Sequence, residues 1–429
     1  MSAPNGSSPG EALELDDSLS QCPHELYRRL RASGSGVQRV IMPPGAGPWS
    51  GLRVWLVTGY HEARAALADS RLSNDLARTA RLFGGGEQGG GGEQGGGGEQ
   101  SRGAFSATLS RNLLHADPPD HTRLRKLVNK AFTSRAVQRL EPRIELITAD
   151  LLDRLDGVEE TDLLVSYASP LPITVICELL GIPASDEDDI RGWTKGLVSG
   201  ASRADMAAAS EGIGAYLTNL VADKRAAPGD DLLSELIRVN ENGDQLADEE
   251  LVPITFVLLI AGHETTINLI GNGVYALLCD RPQLERLRAD PSLLPGAVEE
   301  LLRYESPSSH GTFRSTTEDL PLGGTVIPAG ELVLISLIAA NRDPARFDAP
   351  DVLDVARPPT SNLAFGHGIH HCVGAPLARM EGRIALGRLL ERYPDLALAA
   401  DESDLSWNHS TLIHGLRSLP VRLNGRSES

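Results

Sequence analysis

Cysteine is scarce in this chain: Cys22, Cys177, Cys279 and Cys372 lie far apart among 429 residues, which argues against a disulfide framework. Three of them read as small buried hydrophobes. Positive charge is also short, with 40 Lys and Arg against 58 Asp and Glu and a net charge of -18. That balance repels nucleic acid and anionic membranes unless a local patch reverses it. The opening MSAPNGSSPGEALELDDSLS has neither the positive n-region nor the apolar core of a secretory signal, and no uninterrupted apolar stretch reaches spanning length. The expectation is a cytoplasmic monomer with no nucleic-acid or membrane partner, its residues 1–20 a disordered leader.

With 41% hydrophobic residues the chain can bury a large core. Length alone suggests two or three domains, but the patterning favours one, covering 1–429. Residues 51–57 (GLRVWLV) read as a strand and residues 60–69 as an alanine-rich helix. Residues 84–100 (GGGEQGGGGEQGGGGEQ) have no side chains with which to build a core, so they read as a flexible insertion, an inert linker or a loose lid. Helical periodicity dominates from residue 117 to residue 224. Residues 251–278 are apolar nearly all round until His263, Glu264, Asn268 and Asn272, the pattern of a long helix through a core. Residues 312–317, 325–327 and 332–338 read as strands between Gly and Pro punctuation. The fold class is therefore mainly α with a minor β region.

One stretch delivers a cysteine to a helix N-terminus: Phe365-Gly366-His367-Gly368-Ile369-His370-His371-Cys372-Val373-Gly374, followed by a helical pattern over 375–393 with Pro376 in its first turn. Free N–H groups and the helix dipole stabilise a thiolate, and the glycines allow close approach of backbone to a flat cofactor. A zinc cluster of His367, His370, His371 and Cys372 is the rival, but structural zinc sites usually draw on two separated pairs.

This stretch resembles the haem-binding loop of cytochromes P-450, Phe-Gly-x-Gly-x-(His or Arg)-x-Cys-x-Gly. All six specified positions are met, a coincidence on the order of 10⁻⁵ at average residue frequencies. The resemblance implies the helical prism of that family around haem b, with Cys372 as the iron ligand and Phe365, Gly366 and His370 among the cofactor contacts. In the long helix, Ala261-Gly262-His263-Glu264-Thr265-Thr266 resembles the oxygen-binding motif, so Thr265 would orient activated oxygen and Glu264 would relay protons. A back-bonding threonine beside Gly262 would distort the helix there. Alone, that polar step would be an ordinary satisfied feature of a buried helix.

By the same resemblance His121 and Arg125, spaced i,i+4, join Arg314 and His370 as donors to the haem propionates, which would be costly to bury unpaired. Glu300 and Arg303 match a buried structural pair. The family usually adds a third basic residue before the haem loop, and here Val352 stands where it is expected. The pocket over the haem would be lined by Val257, Ile260, Ala261, His310, Thr312, Leu412 and Ile413, suiting a greasy, oxygen-bearing molecule.

Between His121 and Arg143, Arg123, Arg125, Lys126, Lys130, Arg135, Arg139 and Arg143 face a single acid, Glu141. The bland reading is a solvated helix face; the resemblance implies a dock for an acidic ferredoxin. No flavin or dinucleotide fingerprint is present, which fits electrons supplied through ferredoxin and ferredoxin reductase from NAD(P)H. Residues 181–183 (GIP) and 416–420 (LRSLP) resemble enzymes that tailor polyketide antibiotics, implying hydroxylation or epoxidation of an apolar, macrolide-like metabolite with O2. A ligand-binding haem-thiolate sensor without turnover and a peroxygenase or coupling enzyme stay open beside it.

Overall fold

A computed structural model describes residues 12–84, 107–198 and 203–423, apart from 33, 35, 45, 47, 48 and 242. Residues 1–11 of the expected leader and 85–100 of the glycine repeat lie outside the described residues. The rest of the leader is ordered, contrary to expectation. Leu13–Glu14 pairs in parallel with the strand Val37–Ile41, and Ser18–Gln21 is helical. The reason is burial: Leu15 and Leu19 join Leu26, Tyr27, Val40 and Met42 in one apolar cluster.

Helices dominate, as the periodicity predicts, and a six-stranded sheet gathers distant segments. Its order is Leu13–Glu14, Val37–Ile41, Arg53–Val57, Leu332–Ile335, Arg314–Thr316, Leu72–Ser73. Val333 and Trp55 pair in parallel, while Val333 and Arg314 pair antiparallel. The strand expected over 332–338 stops at Ile335. There the Ser336 hydroxyl accepts from the Ala339 N–H and caps a helical turn, Leu337–Ala340.

The long helix runs unbroken from Asp248 to Cys279 and packs against Pro170–Leu180, Arg203–Ala226, Leu294–Tyr304 and Ala375–Arg392. It is long and apolar enough to cross a membrane, so length does not exclude a span as the sequence suggests. Most of it is buried inside the protein, as the core helix of a globular fold is. The helix serves two apolar cores. Leu251, Ile254, Leu258 and Leu259 join Ile173, Ile176 and Ile213, whereas Leu269, Ile270, Val274 and Leu277 join Val298, Leu301, Ile384 and Leu389. The polar step at 263–268 falls at the junction of these cores, where neither is interrupted by it.

Candidate active site

The cysteine loop is shaped by backbone as much as by side chains. Gly366 and Gly368 adopt φ of +71° and +75°, a region L side chains avoid. A Cβ on Gly368 would come within 2.8 Å of the Leu67 carbonyl oxygen, so the loop can lie on the helix Tyr60–Ala68 only with glycine there. The Cys372 N–H donates to the Phe365 carbonyl at 2.9 Å and closes the loop, and the helix Ala375–Arg392 starts two residues beyond Val373. Although Cys372 is accessible, the protein around it desolvates the sulfur and raises its thiol pKa. N–H groups of Gly374 and Ala375 and the Arg125 guanidinium pull the other way, and a bound metal cation would complete the deprotonation.

Beside this loop four cationic or ionisable side chains converge. His121, buried on the helix Asp120–Ala131, lies with its ring centroid 4.2 Å from that of His370. Both His121 ring nitrogens and Arg314 Nε are buried without a partner among the described residues. Arg314 reaches the Ala66 and Leu67 carbonyls at 3.2 and 3.1 Å, and Arg125 donates to the His371 carbonyl at 2.7 Å. Burial, with His121, Arg314 and Arg125 close by, holds His370 down to about 3. Two guanidinium groups beside the unpartnered nitrogens of buried His121 and Arg314 Nε are the complement of a buried dianion. The expected set His121, Arg125, Arg314 and His370 is thus assembled from three segments far apart in sequence: the helix Asp120–Ala131, the strand Arg314–Thr316 and the cysteine loop.

On the long helix, Val257, Ile260, Ala261, Glu264 and Thr265 stay accessible while most of the helix is buried. Their spacing is i, i+3, i+4, i+7, i+8, a single stripe along one face. Thr265 Oγ1 donates to the Ala261 carbonyl at 2.8 Å, Thr266 Oγ1 to Gly262 at 3.3 Å and Asn268 Nδ2 to Glu264 at 2.7 Å. The helix continues through Gly262 without a break. Gly262 serves close packing, since a Cβ there would come within 2.8 Å of Ile176 Cδ1. Glu264 opens into a cleft of about 150 Å³ that it shares with Lys195, Asn268, Ser410, Ile413 and Arg417.

Leu412 and Ile413 sit in a turn strapped to the segment Ser308–His310: Ile413 bridges Ser308, and the Ser309 N–H donates to the Leu412 carbonyl at 2.8 Å. Leu412 is 39% exposed. His310 needs correction as a polar handle for substrate. It is buried, with Nε2 2.7 Å from the Tyr27 hydroxyl and Nδ1 2.5 Å from the Thr411 carbonyl, so both nitrogens are spent as a strut. Thr312 Oγ1 is likewise turned to Asn74 Oδ1, at 3.1 Å.

The third basic arm is present, but not at Val352. Arg357 Nε donates to Glu300 Oε1 at 3.0 Å, alongside Arg303 at 2.7 and 2.8 Å. Sequence reasoning missed it by fixing on one position; the only available signal was an arginine five residues further on in an irregular stretch. Lys195, Arg417 and Tyr27 were missed as well, because nothing local marks residues that meet the site through the fold. The basic patch is also smaller than the sequence suggests, since Arg123 pairs with Asp244 and Glu250, and Arg143 with Glu178.

With that geometry in place the chain can be assigned: it belongs to the cytochrome P-450 family, whose signature matches residues 203–409. It is a monooxygenase of this haem-thiolate family, a class that uses O2 and redox partners on small substrates. It is 51% identical to cytochrome P-450 107B1 of Saccharopolyspora erythraea over 96% of this chain and 98% of that protein. It is 41% identical to the mycinamicin IV hydroxylase/epoxidase of Micromonospora griseorubida over 87% of this chain and 90% of that one. The solved structure of tirandamycin C-bound P-450 monooxygenase TamI superposes with a TM-score of 0.87 at 55% identity, covering 96% of this chain and 100% of that one.

Proposed function

We propose that this monooxygenase hydroxylates, epoxidises or both an apolar, oxygen-bearing secondary metabolite of the macrolide-like polyketide class, as one folded domain working in the cytoplasm. The observation that carries the reading is the cationic recess next to Cys372, with both nitrogens of buried His121 unpartnered. Haem b fits that donor set: the Cys372 thiolate would hold its iron, His121, Arg125, Arg314 and His370 its two carboxylates, and Phe365 and Gly366 would be among its contacts. When bound, the haem supplies dioxygen activation and carbon oxidation.

The chain's own residues do the rest. Val257, Ile260 and Ala261 on the long helix, with Leu412 and Ile413 on the turn, would form the apolar surface that binds and orients the substrate and keeps water away. Thr265 offers a hydroxyl whose donation to the Ala261 carbonyl could be redirected to a polar atom in the pocket. Glu264, in a cleft with Lys195 and Arg417, can take a proton from solvent and pass it inward. The names of two similar proteins, one acting on mycinamicin IV and one seen with tirandamycin C, support the substrate class. Arg135 and Arg139, exposed at the end of the patch, would dock an acidic ferredoxin fed by its reductase and NAD(P)H.

The test is the difference spectrum of the reduced carbon monoxide complex. A strongly red-shifted Soret band in the wild type, lost in Cys372→Ala, is expected; an unshifted band in the wild type would overturn the ligand assignment. Candidate macrolides are then screened for a low-to-high-spin shift, followed by product analysis with ferredoxin, reductase and NADPH.

A further inference from the structure

Three side chains with no part in the oxidation meet on the far side of the turn that carries Leu412 and Ile413. His24 comes from the helix Pro23–Ala32, Glu305 from the end of the helix Leu294–Tyr304 and His414 from just beyond the turn. Their two imidazole nitrogens and one carboxylate oxygen lie within 4.8 Å of one another. His24 Nε2 is 3.1 Å and His414 Nε2 2.9 Å from the same oxygen, Oε2 of Glu305. The other oxygen is held by Arg342 at 2.8 Å. Glu305 and His414 are buried, and the His24 side chain, 23% exposed, opens the cluster to solvent.

We propose that His24, Glu305 and His414 form a structural binding site for a zinc ion, with water as the fourth ligand. Zinc takes imidazole nitrogen and carboxylate oxygen tetrahedrally at about 2.0–2.2 Å, which sets neighbouring ligand atoms roughly 3.4 Å apart. The two histidine-to-carboxylate separations therefore need to widen by only a few tenths of an ångström, while the two imidazoles draw together. Two of the three ligands, His414 and Glu305, are already oriented by further contacts, as metal ligands commonly are. The His414 ring stacks on Trp407 at 3.9 Å and 11°, its carbonyl accepts from Asn272 Nδ2 at 2.9 Å, and Arg342 fixes the carboxylate. On binding, each imidazole shifts its proton from Nε2, where it now donates to the Glu305 carboxylate, to Nδ1 and turns a free Nε2 to the metal. Arg342 offsets part of the carboxylate charge, which selects a nitrogen-preferring cation over calcium or magnesium. The ion would tie the N-terminal helix to the substrate-side turn, independently of what the haem pocket binds.

The test uses the full-length, haem-loaded protein without a histidine tag, stripped with EDTA, equilibrated with zinc sulfate, desalted and analysed for zinc and iron. One zinc per chain is expected in the wild type and its loss in His24→Ala and His24→Gln, with haem content unchanged. Zinc should also raise the melting temperature of the wild type and leave that of both variants unmoved. Because His24 is half-buried, either variant spares the fold, and Glu305→Gln, which keeps an acceptor for Arg342, gives an independent loss of zinc. Wild type that retains no zinc, or variants that retain it equally, would overturn the site and leave a hydrogen-bonded hub.

Discussion

Arg357 and Glu300, 57 residues apart in sequence, are joined by a charge-assisted bond of 3.0 Å. With Arg303 on the other side, the Glu300 carboxylate is clamped by two guanidinium groups, and both arginines also donate to the Val352 carbonyl, at 3.1 and 3.0 Å. The segment leading to the haem loop is thereby fastened to the helix Leu294–Tyr304, and Val352 contributes only backbone.

Arg357→Ala should accordingly destabilise the protein by about 2 kcal/mol, the range for hydrogen bonds to charged groups. Val352→Ala, at a side chain 53% exposed, should change stability by less than about 0.5 kcal/mol. Urea unfolding of the two variants side by side checks this; equal effects would show that the clamp does not depend on Arg357.

Gly368→Ala places a methyl 2.8 Å from the Leu67 carbonyl oxygen at a φ of +75°. A cost of about 1–3 kcal/mol falls on the cysteine loop, so haem content per purified chain should drop. Gly324→Ala, with a similar φ of +79° but nothing within 4 Å, is the control for backbone strain alone and should keep its haem.

Thr265→Ala should retain the carbon monoxide spectrum and substrate-induced spin shift while releasing more hydrogen peroxide per NADPH consumed. Thr265→Ser, which keeps a hydroxyl, should restore part of the coupling. Unchanged coupling in Thr265→Ala would remove that hydroxyl from the proposed role.

Charge reversal at Arg135 and Arg139 should raise the KM for ferredoxin several-fold and flatten its dependence on ionic strength, since exposed charges act through a screened field. Spin-shift titration with substrate should stay as in wild type. A KM that does not move would place the electron donor elsewhere.

Burial holds His310 down to about 4, with the hydrogen bond to Thr411 opposing. In the unfolded chain an ordinary histidine titrates near 6.5, so between these values the unfolded state binds the extra proton. The contribution to stability is complete above about pH 6.5 and is lost as pH falls toward 4, by at most about 3 kcal/mol. Urea midpoints measured from pH 7.5 to 4.5 should fall more steeply in wild type than in His310→Gln; parallel curves would contradict the assignment.

Legibility in the sequence follows the range of the interaction. The cysteine loop, the oxygen-binding motif on the long helix and the Glu300–Arg303 pair each lie within a few residues, and local backbone geometry and helix period specify them wherever the helix ends up. Gly368 belongs here too, since its positive φ is a local requirement. The leader was misread past residue 12 because Leu15 and Leu19 are unremarkable until a sheet and a helix close over them.

What the residues marked unaided was a cysteine at a helix N-terminus and an acid and alcohol side by side on an apolar helix. Tertiary structure alone decided which groups serve them. It chose Arg357 over position 352, spent His310 on Tyr27 and Thr411, set Lys195 and Arg417 beside Glu264, and brought His24 to Glu305 and His414. Such pairings depend on where distant segments meet under packing, and a side chain carries no mark of its partner until burial removes water as the alternative.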